Sequence, residues 1–447
     1  MGKNMKRKHG IATEALHGSE FEKVFKKLTK TTQMPVCASA NFTFESVEEG
    51  AEVFGGKKAG FFYGRFGTPN ATVVEEKLAK LEQGEAARLF SSGMAAITTT
   101  FMALFAKGDE IISCQTMYGC TDDFLSHFFP QRFGGVVRFV DCSLQENIYD
   151  AITDRTRGIF IETPANPTLE VLDIRMIAKI CKERGLLLLV DNTFAQPYNQ
   201  RPLTMGADVV LHSATKYLNG HSDIVSGAVV SSKEIITKVA ALASLLGPAV
   251  SAFDAFLFNR GLATYELRME RHNQNGLRLA RFLEAHPSVA KVWYPGSFTS
   301  GTYTLAATQM KGFSGVMSFE LKGGQKTAAN FLNYLAKHTF VKLAVSLGST
   351  TTMAQCPALM THSGIPREAR LAKGITDTMI RISVGIENYE DIEAAFKEAF
   401  VHADKRLRYA TKERFKKLEK YVAQLRRATK GATKTGSRLA KTQKAGE

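Results

Sequence analysis

The chain has 447 residues, 44% of them hydrophobic, and a formal net charge of +15. That length exceeds what one hydrophobic core organises, so a single compact domain is not expected. No apolar run approaches the roughly 20 residues that span a bilayer, and the basic stretch 1–9 leads into no signal-peptide core, which points to a cytoplasmic protein.

In chain order, residues 1–62 mix basic and polar segments with little sustained periodicity and are expected to form an extended arm. From 63 to 256 helical and strand patterns alternate. Ser91-Ser92-Gly93-Met94 precedes a helix reaching about Phe105, whose free amides and positive dipole end suit a phosphate. An apolar strand is expected over 157–162, ending in Glu162. It is followed by a helix over 172–184, in which Ile174, Ile177, Ala178 and Cys181 share one face and Gly185 is the stop signal. A second strand, 186–190, runs into Asp191, and a third, 208–212, runs into Ser213-Ala-Thr-Lys216. Continuous apolar strands around an amphipathic helix belong to a parallel sheet buried on both faces, so this region is α/β.

Residues 257–401 change to an α+β pattern, with a long polar helix around 264–285 and strands near 315–321, 341–345 and 379–384. The end of the chain differs again. Residues 402–447 hold 15 Lys/Arg against 4 Asp/Glu, a surplus of +11 that leaves only +4 for the rest. Within them, 412–427 are expected to form a basic helix with Phe415, Leu418, Val422 and Leu425 as a stripe. No recognition motif accompanies this charge, so a solvated extension is expected rather than a nucleic-acid or acidic-surface binder. Six scattered cysteines, with no CxxC pair and no His/Cys cluster, read as reduced thiols without a metal site.

Three features have chemistry in them. Lys216 follows a buried strand and is preceded by two hydroxyls, Ser213 and Thr215. Asp191 ends the most hydrophobic strand, where an ionised carboxylate needs a partner. Ser92, Gly93 and Met94 open a helix. Each has an ordinary alternative: a surface lysine, a capping aspartate, a helix that merely begins Ser-Gly. Taken together they match what pyridoxal phosphate demands, namely a lysine for its aldehyde, an acid for its ring nitrogen and donors for its phosphate.

The stretch Asp208-Val-Val-Leu-His-Ser-Ala-Thr-Lys-Tyr-Leu-Asn-Gly-His-Ser222 resembles the cofactor-lysine motif of the Cys/Met-metabolism family of pyridoxal-phosphate enzymes. The likeness spans about residues 10–400 and includes Ser92-Gly93-Met94, Tyr118-Gly119, Glu162-Thr-Pro-Ala-Asn-Pro167 and Val190-Asp-Asn-Thr193. It implies a fold type I enzyme: a large domain with a mostly parallel sheet (63–256), a smaller α+β domain (257–401), and an arm (1–62) against a neighbouring subunit. It further implies that Lys216 binds the cofactor and moves protons, and that Tyr118 stacks on the ring and protonates the leaving sulfur. Asn166 would bond the ring oxygen and Asp191 the ring nitrogen. Ser92, Gly93, Met94, Ser213 and Thr215 would hold the phosphate, with Tyr63 and Arg65 reaching it from the neighbouring subunit. A homodimer is then the smallest complete unit and a homotetramer the expected assembly. Arg381, helped by Ser346, would clamp the substrate carboxylate. One segment departs from the family: Tyr63-Gly-Arg-Phe-Gly-Thr-Pro-Asn70 stands where the usual pattern is Tyr-Ser/Thr-Arg-x-x-Asn-Pro-Thr.

Two positions bear on the substrate. Cystathionine-handling members tend to carry Glu just before the serine of the Ser-Leu-Gly motif, and here that position is Val345. Cys120 matches a cysteine that methionine γ-lyases keep near the substrate. The expected reaction is γ-elimination on methionine, giving 2-oxobutanoate, ammonia and methanethiol. The alternatives are cystathionine γ-lyase activity and γ-replacement on acylated homoserine, by a cystathionine γ-synthase or homoserine sulfhydrylase.

Overall fold

A computed structural model describes residues 9–364, 366–403 and Lys420. Seven strands form the first sheet: β1 (Ala86–Phe90), β2 (Glu110–Cys114), β3 (Val136–Val140), β4 (Thr156–Glu162), β5 (Leu187–Asp191), β6 (Val209–His212) and β7 (Gly227–Ser231). Their order is β1-β7-β6-β5-β4-β2-β3, and only β7 runs against its neighbours. Every residue of β5 from Leu188 to Asp191 and every residue of β6 is buried, as continuous apolar strands with helices on both faces require. The helix Ile174–Arg184 crosses from β4 to β5. Asp173 caps it by accepting from Met176 N at 3.0 Å, Ile174, Ile177 and Cys181 face the core, and Gly185 ends it at φ 66.

The second sheet takes β8 (Val289–Trp293), β9 (Val316–Leu321), β10 (Lys342–Leu343), β11 (Met353–Gln355) and β12 (Met379–Ser383) in the order β10-β11-β12-β9-β8. β12 is its central strand, packed by Phe331, Phe396 and Phe400 from two helices. The strand expected over 341–345 shrinks to two exposed residues at the sheet edge. Ser346, at φ 89, turns the chain away from further pairing.

Two further expectations meet detail the sequence did not reveal. The arm contains helices at Ile11–His17, Glu20–Thr29 and Val47–Phe54. The second is capped by Ser19 and tied to the helix Pro69–Glu82 by the buried pair Lys77–Glu22, 2.8 Å apart. The pairing that holds it is non-local. Position 256 falls inside a helix, Ala252–Leu262, whose Ala255, Phe258 and Leu262 share one core with Val74, Leu78 and Leu89. The basic segment 412–427 lies outside the described residues, apart from Lys420. Among the described residues no helix is long and apolar enough to cross a membrane.

Candidate active site

The carboxyl ends of β4, β5 and β6 point to one crevice, the usual site location in an open parallel sheet. Glu162 and Asp191 are direct register partners at the ends of β4 and β5. Beyond β6 the chain makes a turn that carries Lys216. Its Nζ donates to Ser346 Oγ at 2.9 Å, which joins the large sheet to the loop before β11. Burial and the nearby Arg381 charge lower the Lys216 amine to about 8.

Around Lys216, Gly93 opens the helix Gly93–Leu104 and lies against Ser213. A Cβ on Gly93 would stand 2.9 Å from that of Ser213. Gly227 is equally constrained, since a Cβ there would overlap the Ser92 carbonyl. The two glycines therefore let a helix N-terminus, its Gly93 and Met94 amides and the Ser213 hydroxyl converge closely. Ser92 Oγ is engaged as the cap, accepting from Ala95 N at 3.0 Å. Thr215 Oγ1 accepts from Ser226 N at 2.8 Å, and Ser213 N donates to Thr193 Oγ1 at 2.8 Å.

Asp191 is buried, and its Oδ1 accepts from Thr193 N at 3.0 Å. Burial raises its carboxyl and the Thr193 hydrogen bonds oppose that rise. Glu162, also buried, is pushed up by burial and by Asp191 beside it. Its Oε2 accepts from Tyr118 N and its Oε1 from Asn166 N, both at 2.8 Å. Tyr118 is 46% exposed, with Cys120 Sγ 3.5 Å from its hydroxyl. That hydrogen bond, then burial, raises the phenol to about 12.

Arg381 is buried on β12 and donates from Nη1 to Asn166 Oδ1 and from Nη2 to the Ser346 carbonyl, both at 2.9 Å. Gln355, presenting its amide oxygen, accepts from the same guanidinium at 2.9–3.2 Å. Among the described residues Arg381 pairs with no carboxylate within 4 Å. Burial lowers it to about 10. Val345, beside Ser346, is 51% exposed.

The fold thus brings together Lys216, Ser346, Arg381, Asn166, Asp191, Ser213, Thr215, Gly93 and Tyr118. Tyr63 and Arg65 stand apart. The Arg65 guanidinium lies over the rings of Tyr63 and Phe66, 5.6 and 4.6 Å from their centroids, and donates to the Ser244 carbonyl. Among the described residues neither bonds to the Lys216 cluster of its own chain. Glu162, Thr193 and Gln355 were not singled out as binding residues from the sequence. Only Glu162 had a signal there, a carboxylate at the end of an apolar strand.

This arrangement is that of a fold type I pyridoxal-phosphate enzyme. The chain belongs to the Cys/Met metabolism PLP-dependent enzyme family, whose sequence model matches residues 12–401. It is 44% identical over 391 residues to an L-methionine gamma-lyase of Fusobacterium nucleatum, covering 87% of this chain and 97% of that one. It is 46% identical over 338 residues to a cystathionine gamma-lyase of Bacillus subtilis, covering 75% and 88%. The crystal structure of cystathionine gamma-lyase from Lactobacillus plantarum complexed with L-serine superposes with a TM-score of 0.81 at 36% identity, covering 88% of this chain and 99% of that one.

Proposed function

We propose that this enzyme catalyses γ-elimination on L-methionine, converting it with water to 2-oxobutanoate, ammonia and methanethiol. The observation that carries the substrate choice is Val345, half exposed beside Ser346, where a substrate's distal ammonium would require a carboxylate. An uncharged thioether tail meets no such demand. Cys120 beside the Tyr118 hydroxyl, and the likeness to L-methionine gamma-lyases, support the same choice.

The residues fit the cofactor. The cradle of Gly93, Met94, Ser213 and Thr215 at a helix N-terminus, with Ser92 as its cap, suits a phosphate, and a side chain on Gly93 would fill it. Asp191, buried and without an ion-pair partner among the described residues, suits a protonated ring nitrogen, and Asn166 Nδ2 is the donor for the ring oxygen. Pyridoxal phosphate supplies an electron sink for the pair left at Cα when its proton departs. Lys216 Nζ is the base that takes the Cα proton and handles the proton at Cβ; at about 8 its amine is partly neutral at physiological pH. Tyr118 Oη, held protonated by its raised pKa, donates a proton to the departing sulfur. Arg381 and Ser346 hold the substrate carboxylate. Tyr63 and Arg65, turned to the surface, would complete the phosphate site of a second subunit, so the active unit is at least a homodimer, with a homotetramer as the full assembly.

The test is incubation of purified holoenzyme with L-methionine, with cystathionine, and with O-acetylhomoserine plus sulfide. Equimolar 2-oxobutanoate and methanethiol from methionine are expected. Their absence, with homocysteine and acetate from O-acetylhomoserine and sulfide, would assign the chain to γ-replacement. Val345→Glu is expected to lower kcat/KM for methionine and raise the cystathionine-to-methionine ratio by about 5-fold, the scale of one new ion pair in a partly open site. An unchanged ratio would remove Val345 as the determinant.

A further inference from the structure

Two carboxylates end adjacent parallel strands in register, and only one of them, Asp191, has work in the reaction proposed above. The other is Glu162. Both of its oxygens are engaged: Oε2 by the Tyr118 amide, Oε1 by the Asn166 amide, each at 2.8 Å. The two amides belong to separate loops, one following β2 and one following β4. From Asn166 the connection continues through Oδ1 to Arg381 Nη1, then Nη2 to the Ser346 carbonyl, and Ser346 Oγ to Lys216 Nζ, each at 2.9 Å.

We propose that Glu162 is a positioning residue for this reaction, bracing the loop of Tyr118 against the Asn166–Arg381 pair so that acid, carboxylate clamp and lysine keep one geometry. The proposal rests on the γ-elimination chemistry assigned to Tyr118. Glu162 acts there through the Tyr118 and Asn166 amides that meet its two oxygens, and not on the substrate. A carboxyl group suits this place for a simple reason: two N–H groups converge on it from two loops, and it offers one oxygen to each. Glutamine would turn an NH2 toward one of the amides, leaving a buried donor unpaired. Aspartate keeps the two oxygens but falls one methylene short of reaching both loops. Burial and the nearby Asp191 carboxyl raise the Glu162 carboxyl to about 8, and the two amides and Arg381 limit that rise.

The experiment is a double-mutant cycle on purified holoenzyme with Glu162→Gln, Glu162→Asp and Tyr118→Phe. Glu162→Gln is expected to lower kcat by about 10- to 100-fold, the scale for leaving a buried donor unpaired, with Glu162→Asp intermediate. When Tyr118 is already Phe, removing Glu162 is expected to lower kcat by less than about 3-fold further, since much of its effect passes through that phenol. Full additivity in the cycle would overturn the proposal, as would wild-type kcat in Glu162→Gln. If Glu162→Gln purifies without cofactor, Glu162→Asp carries the cycle by the same criteria. Should wild type turn over none of methionine, cystathionine and O-acetylhomoserine with sulfide, the functional assignment fails separately. Glu162 is then judged by exchange of the Cα hydrogen of L-norleucine in D2O, which needs no γ leaving group. A loss of about 2- to 3-fold in Glu162→Gln, the share that does not pass through the phenol, supports bracing of the clamp and lysine, and unchanged exchange refutes it.

Discussion

Lys216→Ala is expected to yield a folded protein that loses pyridoxal phosphate on desalting and turns over methionine at least about 10⁴-fold more slowly than wild type. The magnitude combines the loss of a positioned proton carrier, about 10²–10⁴-fold by itself, with the loss of the covalent link that orients the cofactor. Borohydride treatment followed by peptide mass analysis should find the cofactor on Lys216 in wild type and on no lysine in the variant. Label on another lysine, or wild-type turnover in the variant, would end the assignment. The pH dependence of cofactor capture gives a second measurement. Only the neutral amine attacks the aldehyde, and the neutral fraction rises with pH until the amine's own pKa is passed. With that value lowered to about 8, reconstitution of the apoenzyme should accelerate up to about pH 8 and then level off. At pH 7 roughly one Lys216 in ten is already neutral, against roughly one in three thousand for an exposed lysine. A plateau first reached near the ordinary lysine value would mean that burial and Arg381 do not act on this amine.

Why Lys216 and Asp191 were visible in the sequence, while Glu162 and Arg381 were less so, follows from how each is placed. A parallel sheet buried on both faces writes its strands as unbroken apolar runs, and its sites lie just past their carboxyl ends. Asp191 after Leu187–Val190 and Lys216 after Val209–His212 are therefore marked by contrast with what precedes them. Glu162 carries the same mark, but while Asn166 lies four residues on, its other partner, the Tyr118 amide, arrives from a loop 44 residues away, and no local pattern encodes that convergence. Arg381 sits within Met379–Ser383, where its neighbours look like those of any strand. Its distinction is to lie on the middle strand of a five-stranded sheet, a property of strand order rather than of the strand. The arm is a further case. Helices as short as those over 11–29 are marginal alone, and their order depends on Ser19 meeting Glu76 and Glu22 meeting Lys77 across non-local contacts. The edge strand at 341–345 fails for the opposite reason: its apolar run is real, but Ser346 leaves the extended conformation to meet Lys216.

Arg381 makes the second large prediction, because a buried guanidinium held by three neutral oxygens and no carboxylate is an arrangement that waits for an anion. Asn166 Oδ1, the Ser346 carbonyl and Gln355 satisfy its N–H groups without neutralising it, and its burial already pushes its pKa down. A substrate carboxylate supplies the missing charge. Removing one partner of such a buried pair typically costs about 2–5 kcal/mol, so Arg381→Ala is expected to lower kcat/KM for methionine by about 10²–10³-fold, mainly through KM. Arg381→Lys should recover less than about a tenth of that loss. An ammonium keeps the charge but cannot span Asn166, Ser346 and Gln355 while presenting two parallel donors to a carboxylate. Removing this cation should also raise the Lys216 amine, since the two like charges repel, and so move the reconstitution plateau to higher pH. Steady-state kinetics and the reconstitution profile of the same variant therefore check each other. A KM within about 3-fold of wild type in Arg381→Ala would show that the carboxylate is held elsewhere. An unmoved plateau would show that the guanidinium field does not reach Lys216.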